Sequence, residues 1–144
     1  MPQSLKLVTV WLLIATALFL AVQAMQHRAE RARFSFDVAS GRIELKRAPD
    51  GHFYWPGRVN GVAVDFLVDT GATSTALPLA LAQQAGLALE GAVRSSTAGG
   101  VVDGRVARAD VSLQGGVVAE RLRVAVLPRL EAPLLGMDVI SKLR

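Results

Sequence analysis

The chain has 144 residues, no cysteine, two histidines and a formal net charge of +4. This length allows one domain with a modest core, and the lack of cysteine excludes disulfides, thiol nucleophiles and cysteine-based zinc sites. His27 and His52 are interpreted as surface residues, so neither a metal site nor a cofactor is expected. The arginines are scattered instead of forming a basic segment interleaved with aromatics, so no nucleic-acid partner is expected.

An uncharged apolar segment occupies residues 7–25. Its length approaches the roughly twenty residues that cross a bilayer as a helix. A cleavable signal peptide is the alternative, because Lys6 gives a basic start and Val22-Gln23-Ala24 resembles a cleavage site. The apolar stretch is long for a signal peptide, so we expect residues 1–26 to form an uncleaved membrane anchor.

Residues 27–47 are charged and mixed in composition, which predicts a juxtamembrane linker with one short edge strand from Ile43 to Leu45. Residues 48–144 form the expected domain. Asn60-Gly61 is a strong hairpin signal, because both residues tolerate positive φ. Pro56 indicates that the strand before this turn is interrupted or lies at an edge.

Turn signals recur every ten to fifteen residues in this domain. The predicted strands are 52–59, 62–68, 93–98, 101–113, 117–126 and 134–135, and the predicted short helical segments are 79–85 and 137–143. Strands dominate, so the sequence predicts a mostly β domain that is closed or folded on itself.

The most informative stretch runs from Phe66 to Thr73, where an apolar strand ends in Asp-Thr-Gly. Leu134-Leu135-Gly136 follows about sixty-five residues later. With Gly51-His52-Phe53, Val59-Asn60-Gly61 and the Gly-rich segment 97–100, these motifs make residues 48–144 resemble the retropepsin-like (clan AA) aspartic proteases. The nearest likeness is to bacterial, single-pass, membrane-anchored members. The resemblance implies one closed β-barrel lobe with one or two short helices, behind an N-terminal transmembrane helix.

The resemblance also assigns roles to individual residues. Asp69, Thr70 and Gly71 are the expected catalytic triplet, with Thr70 locking two loops together across a dimer axis. Leu134, Leu135 and Gly136 are expected to support the loop. The expected substrate-binding residues are Ala72 and the hairpin, or flap, that closes over an extended peptide: Thr97, Ala98, Gly99, Gly100 and Val101.

Peptide hydrolysis by carboxylates requires two of them close enough to share one proton, because like charges a few ångströms apart do not both ionise. This chain has a single Asp-Thr-Gly. We therefore expect a homodimer in which Asp69 from each copy completes the dyad. The expected function is an aspartic endopeptidase acting on a peptide or protein substrate.

The resemblance places the domain on the periplasmic side of the bacterial inner membrane. Counting Arg28, Arg31 and Arg33 against the charges before the apolar segment slightly favours the opposite orientation. We expect the periplasmic orientation, because three arginines interrupted by Glu30 are a weak signal for retention in the cytoplasm.

Other interpretations stay open. The same fold could serve as a catalytically silent dimerisation or peptide-binding module, or the basic chain could be a membrane-surface scaffold. Asp-Thr-Gly could be a plain β-turn, and Gly99-Gly100 a plain hairpin. Asp138 follows the Leu-Leu-Gly segment and is the one alternative acid. Ser74 lacks a Gly-x-Ser-x-Gly elbow and a histidine base, which argues against a serine hydrolase.

Overall fold

A computed structural model describes residues 3–31, 34–37, 40–97 and 99–143. Helix α1 comes first, followed by a separate two-stranded hairpin and then a seven-stranded sheet. The elements are α1 (Gln3–Arg31), β1 (Phe34–Asp37), β2 (Arg42–Leu45), β3 (Tyr54–Val59), β4 (Val62–Val68), β5 (Ala76–Pro78), α2 (Leu79–Gln84), β6 (Ala92–Thr97), β7 (Gly100–Leu113), β8 (Val117–Leu127), β9 (Leu134–Leu135) and α3 (Met137–Ile140).

Six strands of the sheet close into a barrel. They are hydrogen-bonded in the order β3-β4-β9-β5-β8-β7, and β7 also pairs with β3 to complete the circle. The closing contact joins residues 57–59 of β3 to residues 111–113 of β7. Strand β6 lies outside this circle and is bonded to β7. Closure leaves no free edge on the six barrel strands, and the predicted mostly β, closed architecture is confirmed.

Local turn signals predicted the hairpins well. The β3–β4 hairpin turns at Asn60-Gly61 with positive φ at both residues, 46° and 84°. Pro56 lies just before the three residues through which β3 also pairs with β7. Its missing N–H therefore falls at the margin of the closing contact. Strand β3 nevertheless continues through Pro56 and belongs to the closed barrel, so the expected interruption or edge position is not observed.

The core is formed mainly by alternating residues of the barrel strands, and α2 packs against it. Phe66, Leu77 and Leu135 are fully buried, and the indole of Trp55 donates a hydrogen bond to the carbonyl of Gln114 at 2.8 Å. The remaining core is mostly valine and alanine from the barrel strands and the short helices: Val59, Ala82, Ala107, Ala109, Val111, Leu113, Val124, Val126 and Val139.

The segment before the barrel contains the two-stranded β1–β2 hairpin. Ile43 and Leu45 on β2 are half-buried and pack against the barrel core. The strand expected at residues 43–45 is thus present, with β1 as its partner.

Helix α1 contains a continuous apolar stretch, Leu7–Met25, with a mean hydropathy of 2.2 and no residue buried against the rest of the protein. Its length and composition suit either a membrane span or a signal sequence.

Candidate active site

The Asp-Thr-Gly motif lies in the loop that joins β4 to β5. Strand β9 lies between these two strands and is parallel to β4, with Leu67 opposite Leu134 and Val68 opposite Leu135. The two ends of the loop are therefore held apart by the Leu-Leu strand. This pairing brings together two motifs that are distant in the sequence.

Asp69 follows the last residue of β4 and is half-buried. Its backbone N–H donates to the carbonyl of Leu135 at 3.1 Å, which extends the β4–β9 pairing by one residue. Its Oδ1 accepts a hydrogen bond from the N–H of Gly71 at 2.8 Å, and its carbonyl accepts one from Ala72 at 3.2 Å. The two backbone bonds hold the loop, and the bond from Gly71 orients the carboxylate.

The tip of the loop is open to solvent. Thr70 and Gly71 are exposed, whereas Ala72 is half-buried and its carbonyl accepts a hydrogen bond from Met137 at 2.8 Å. A Cβ on Gly71 would lie 3.2 Å from Oδ1 of Asp69. Glycine therefore leaves room for the carboxylate to turn back onto its own loop.

Gly136 is buried against the far end of the same loop. A Cβ at this position would overlap the carbonyl carbon of Ser74 and lie 2.8 Å from the backbone nitrogen of Thr75. Its N–H donates to the hydroxyl of Thr75 at 3.2 Å. The absence of a side chain at Gly136 is what allows β9 and the loop to approach this closely.

Thr75 and Asp138 form a polar brace under the loop that sequence reasoning missed. Thr75 is fully buried; its N–H donates to both carboxylate oxygens of Asp138 at 3.0 Å and its hydroxyl donates to Oδ1 at 2.8 Å. These bonds make Asp138 a structural acceptor, whereas in the described part of the chain the Asp69 carboxylate accepts a single hydrogen bond, from the N–H of Gly71. The one sequence signal for this brace was the position of Asp138, two residues after Gly136. Its partner lies 63 positions away, so the pairing is not evident from the sequence.

The hairpin expected to act as a flap is formed by β6 and β7. Thr97 pairs with Gly100, and its hydroxyl donates to the Gly100 carbonyl at 2.8 Å. Gly100 has a φ of 109°, which suits glycine at a tight turn. Val101 is 65% exposed, Gly99 is also exposed, and Ala98 lies outside the described residues.

The structure thus brings Asp69–Ala72 and Leu134–Gly136 into one hydrogen-bonded cluster. The Thr97–Val101 hairpin lies outside that cluster, on the strand pair that includes the outer strand β6. In the part of the chain that the structure describes, no three histidine, aspartate or glutamate side chains lie close enough to hold a metal ion.

A closed six-stranded barrel, with an Asp-Thr-Gly loop held open by a Leu-Leu-Gly strand, defines the retropepsin-like class of proteins. The family model described as aspartyl protease matches residues 55–139, which include the loop and its supporting strand. The chain belongs to the retropepsin-like aspartic protease family.

Two curated relatives are similar over most of this chain. An uncharacterized protein of Rickettsia prowazekii is 29% identical over 115 residues, covering 77% of this chain and 49% of the relative. An uncharacterized protein from the cobV 5′ region of a Sinorhizobium species is 30% identical over 166 residues, covering 98% of this chain and 68% of the relative. The chain therefore spans about half the length of the first relative.

Two solved structures share the fold. A retropepsin-like aspartic protease from Rickettsia conorii matches with a TM-score of 0.55 and 33% identity, over 68% of this chain and 84% of that chain. The EIAV protease, solved in complex with the inhibitor HBY-793, matches with a TM-score of 0.57 and 17% identity, over 67% of this chain and 92% of that chain. The second likeness concerns the fold alone.

Proposed function

We propose that this protein is an aspartic endopeptidase whose active site forms between two identical chains. The observation that carries the proposal is a fixed, half-buried Asp69 carboxylate on a loop whose Thr70–Gly71 tip is exposed. One such carboxylate is half of the required dyad, and the exposed tip is free to meet the same tip of a second copy around a two-fold axis.

In this proposal, the two Asp69 side chains share one proton. The ionised carboxylate accepts a proton from a water molecule as the water attacks the peptide carbonyl carbon. The protonated partner donates a hydrogen bond to the carbonyl oxygen, where negative charge develops. The Gly71 N–H holds Oδ1 of each carboxylate in place, so little reorganisation is needed when the water attacks.

The other predicted site residues take supporting roles. Thr70 contacts its counterpart across the dimer axis, and Ala72 lies beside the backbone of the substrate. The Thr97–Val101 hairpin closes over an extended peptide, which binds in the manner of an added strand. Leu134–Gly136, with the Thr75–Asp138 brace, keeps the loop in position.

We further propose that residues 1–26 anchor the protein in the bacterial inner membrane, that residues 27–47 connect the anchor to the barrel, and that residues 48–144 act in the periplasm. The apolar Leu7–Met25 stretch supports the anchor.

Alkaline phosphatase fused to the C-terminus should be active in cells. An inactive fusion, together with an active cytoplasmic reporter at the same position, would reverse the orientation.

The shared dyad is tested by mixing two forms of the full chain in detergent. A peptide library first identifies a substrate that the wild type cleaves. Unlabelled Asp69→Asn protein is then added in equal amount to a fixed amount of wild type and allowed to exchange subunits. Because random pairing gives half of the wild-type subunits a mutant partner, activity should fall to about one half.

The control for this experiment is an equal amount of Asp65→Asn protein, which keeps the catalytic carboxylate and should not reduce the rate. An undiminished rate after complete subunit exchange with Asp69→Asn, shown by a labelled subunit, would contradict a dyad built from two chains. A wild type that binds library peptides and never cleaves them would instead identify the chain as a peptide-binding module.

A further inference from the structure

A groove of about 490 Å³ opens beside the active-site loop. One wall is formed by Thr73 and Ser74, which directly follow the residues that position Asp69. The opposite wall is formed by residues 120–123 of β8. Lys142, which follows α3, also lines the groove. The groove is thus continuous with the loop of the proposed active site and separate from its carboxylate.

Positive charge dominates this groove. Arg108, Arg121, Arg123 and Lys142 line it, together with Glu120 and Asp138. The Asp138 carboxylate is already bonded to Thr75, and Arg108 lies 3.6 Å from Glu90 outside the groove. Among the described residues, the side chains of Arg121, Arg123 and Lys142 have no hydrogen-bond or ion-pair partner. These three cations are available to a ligand.

Two of the groove arginines occupy positions that are unfavourable for the stability of the sheet. Arg108 on β7 lies directly opposite Arg123 on β8. Like charges in directly opposed positions of an antiparallel pair destabilise the sheet. Glu90 offsets part of this repulsion at Arg108, and an anion bound at Arg123 would offset more of it.

A β-bulge directs a further arginine outward at the same place. The pairing shifts so that Glu120 and Arg121 together oppose Asp110, and the N–H of Arg121 donates to the Asp110 carboxylate at 2.8 Å. Arg121 has a φ of 50°, a conformation that is uncommon and strained for residues other than glycine. Bulges of this kind re-aim side chains and are common beside active sites.

We propose that this groove, defined by Thr73, Ser74, residues 120–123 and Lys142, binds an acidic segment of the polypeptide substrate that flanks the cleaved bond. The proposal rests on the proposed protease function. Arginine guanidinium groups bind carboxylates through paired hydrogen bonds. The groove is concave and adjoins the active-site loop, so it suits a peptide chain that extends from the cleaved bond better than it suits the flat surface of a membrane. The hydroxyl groups of Thr73 and Ser74 can form hydrogen bonds with the backbone of that peptide.

The test uses peptides with one cleavable core and a four-residue extension at either end, made of glutamate or of glutamine. For the wild type, we expect KM to be about tenfold lower with the acidic extension at one of the two ends, with kcat little changed. Arg123→Gln and Lys142→Gln should each remove most of this preference and leave cleavage of the glutamine peptide unchanged. Glu120→Gln should strengthen the preference, because it removes a repelling carboxylate.

Peptide binding to the full-length Asp69→Asn protein, measured by fluorescence anisotropy, tests the groove without turnover. Tighter binding of the acidic peptide, weakened by added salt and by Arg123→Gln, supports the groove even if no peptide is cleaved. Equal affinities for both peptides would overturn the groove and leave the protease function standing. Binding to phosphatidylserine vesicles that is lost in Arg123→Gln, with no peptide preference, would also overturn it.

Discussion

Asp69→Asn is expected to lower kcat/KM for a library-selected peptide by about 10⁴-fold or more, the size of effect found when an essential catalytic group is removed. Asparagine has the same shape as aspartate and keeps the Oδ1 oxygen that accepts the Gly71 N–H. It has no carboxylate to take a proton from water or to share one with a partner. The loss should therefore appear in kcat, and peptide binding should persist.

Fold and dimerisation are checked separately for this variant. Its circular dichroism, unfolding midpoint and sedimentation should match those of the wild type, because the replaced side chain is half-buried and its local hydrogen bond is retained. Asp65→Asn is the matched control, since it removes the same charge from an exposed position on β4, the strand that leads to Asp69. Turnover by purified Asp69→Asn above the level of contaminating protease would eliminate Asp69 as a catalytic residue.

The parts of the fold that local signals determine were predicted from the sequence. Asn60-Gly61 sets the β3–β4 hairpin because both residues adopt positive φ. Strand β4 and strand β9 have the predicted bounds, and α2 ends one residue before the predicted end. For β4 and α2, the pattern of apolar residues and the flanking turn residues carry the information within a few neighbouring positions, whereas the two-residue strand β9 was recognised from its Leu-Leu-Gly motif.

Strand β5 was missed because its three residues, Ala76–Pro78, are too few to show alternation. Strand β5 is formed by pairing with two other strands: Ala76 pairs with Ala125 on β8 and with Leu134 on β9. Pairings between strands distant in the sequence have no local signature. The same reason explains why the support of the loop by Leu134–Gly136 was expected from family resemblance, and why the parallel β4–β9 pairing was not predicted.

The Thr75–Asp138 brace shows a second limit of sequence reasoning. The buried threonine and the half-buried aspartate are separated by 63 positions in the sequence. Taken alone, each is typical of a turn or of a helix cap. The fold makes them partners, and a buried polar group without such a partner would be costly. The bulge at Arg121 was equally invisible, because it depends on the register between β7 and β8.

The second large effect is expected for Gly136→Ala. The φ and ψ of Gly136 are −91° and 178°, which any residue adopts, so the glycine is required for space and not for an unusual backbone conformation. A methyl group would overlap backbone atoms of Ser74 and Thr75, which cannot move aside as a flexible side chain can. We expect a loss of about 3 kcal/mol or more in the free energy of unfolding.

Gly91→Ala is the matched control for Gly136→Ala, because a Cβ at Gly91 meets no heavy atom within 4 Å. Its free energy of unfolding should stay within about 0.5 kcal/mol of the wild type. Urea titration of the full chain in detergent, followed by the fluorescence of the buried Trp55, measures both variants. Because the overlap pushes β9 away from the loop that holds Asp69, Gly136→Ala should also lose cleavage under conditions where it remains folded. If Gly136→Ala is as stable and as active as Gly91→Ala, then the close approach of β9 to the loop does not hold the active site together.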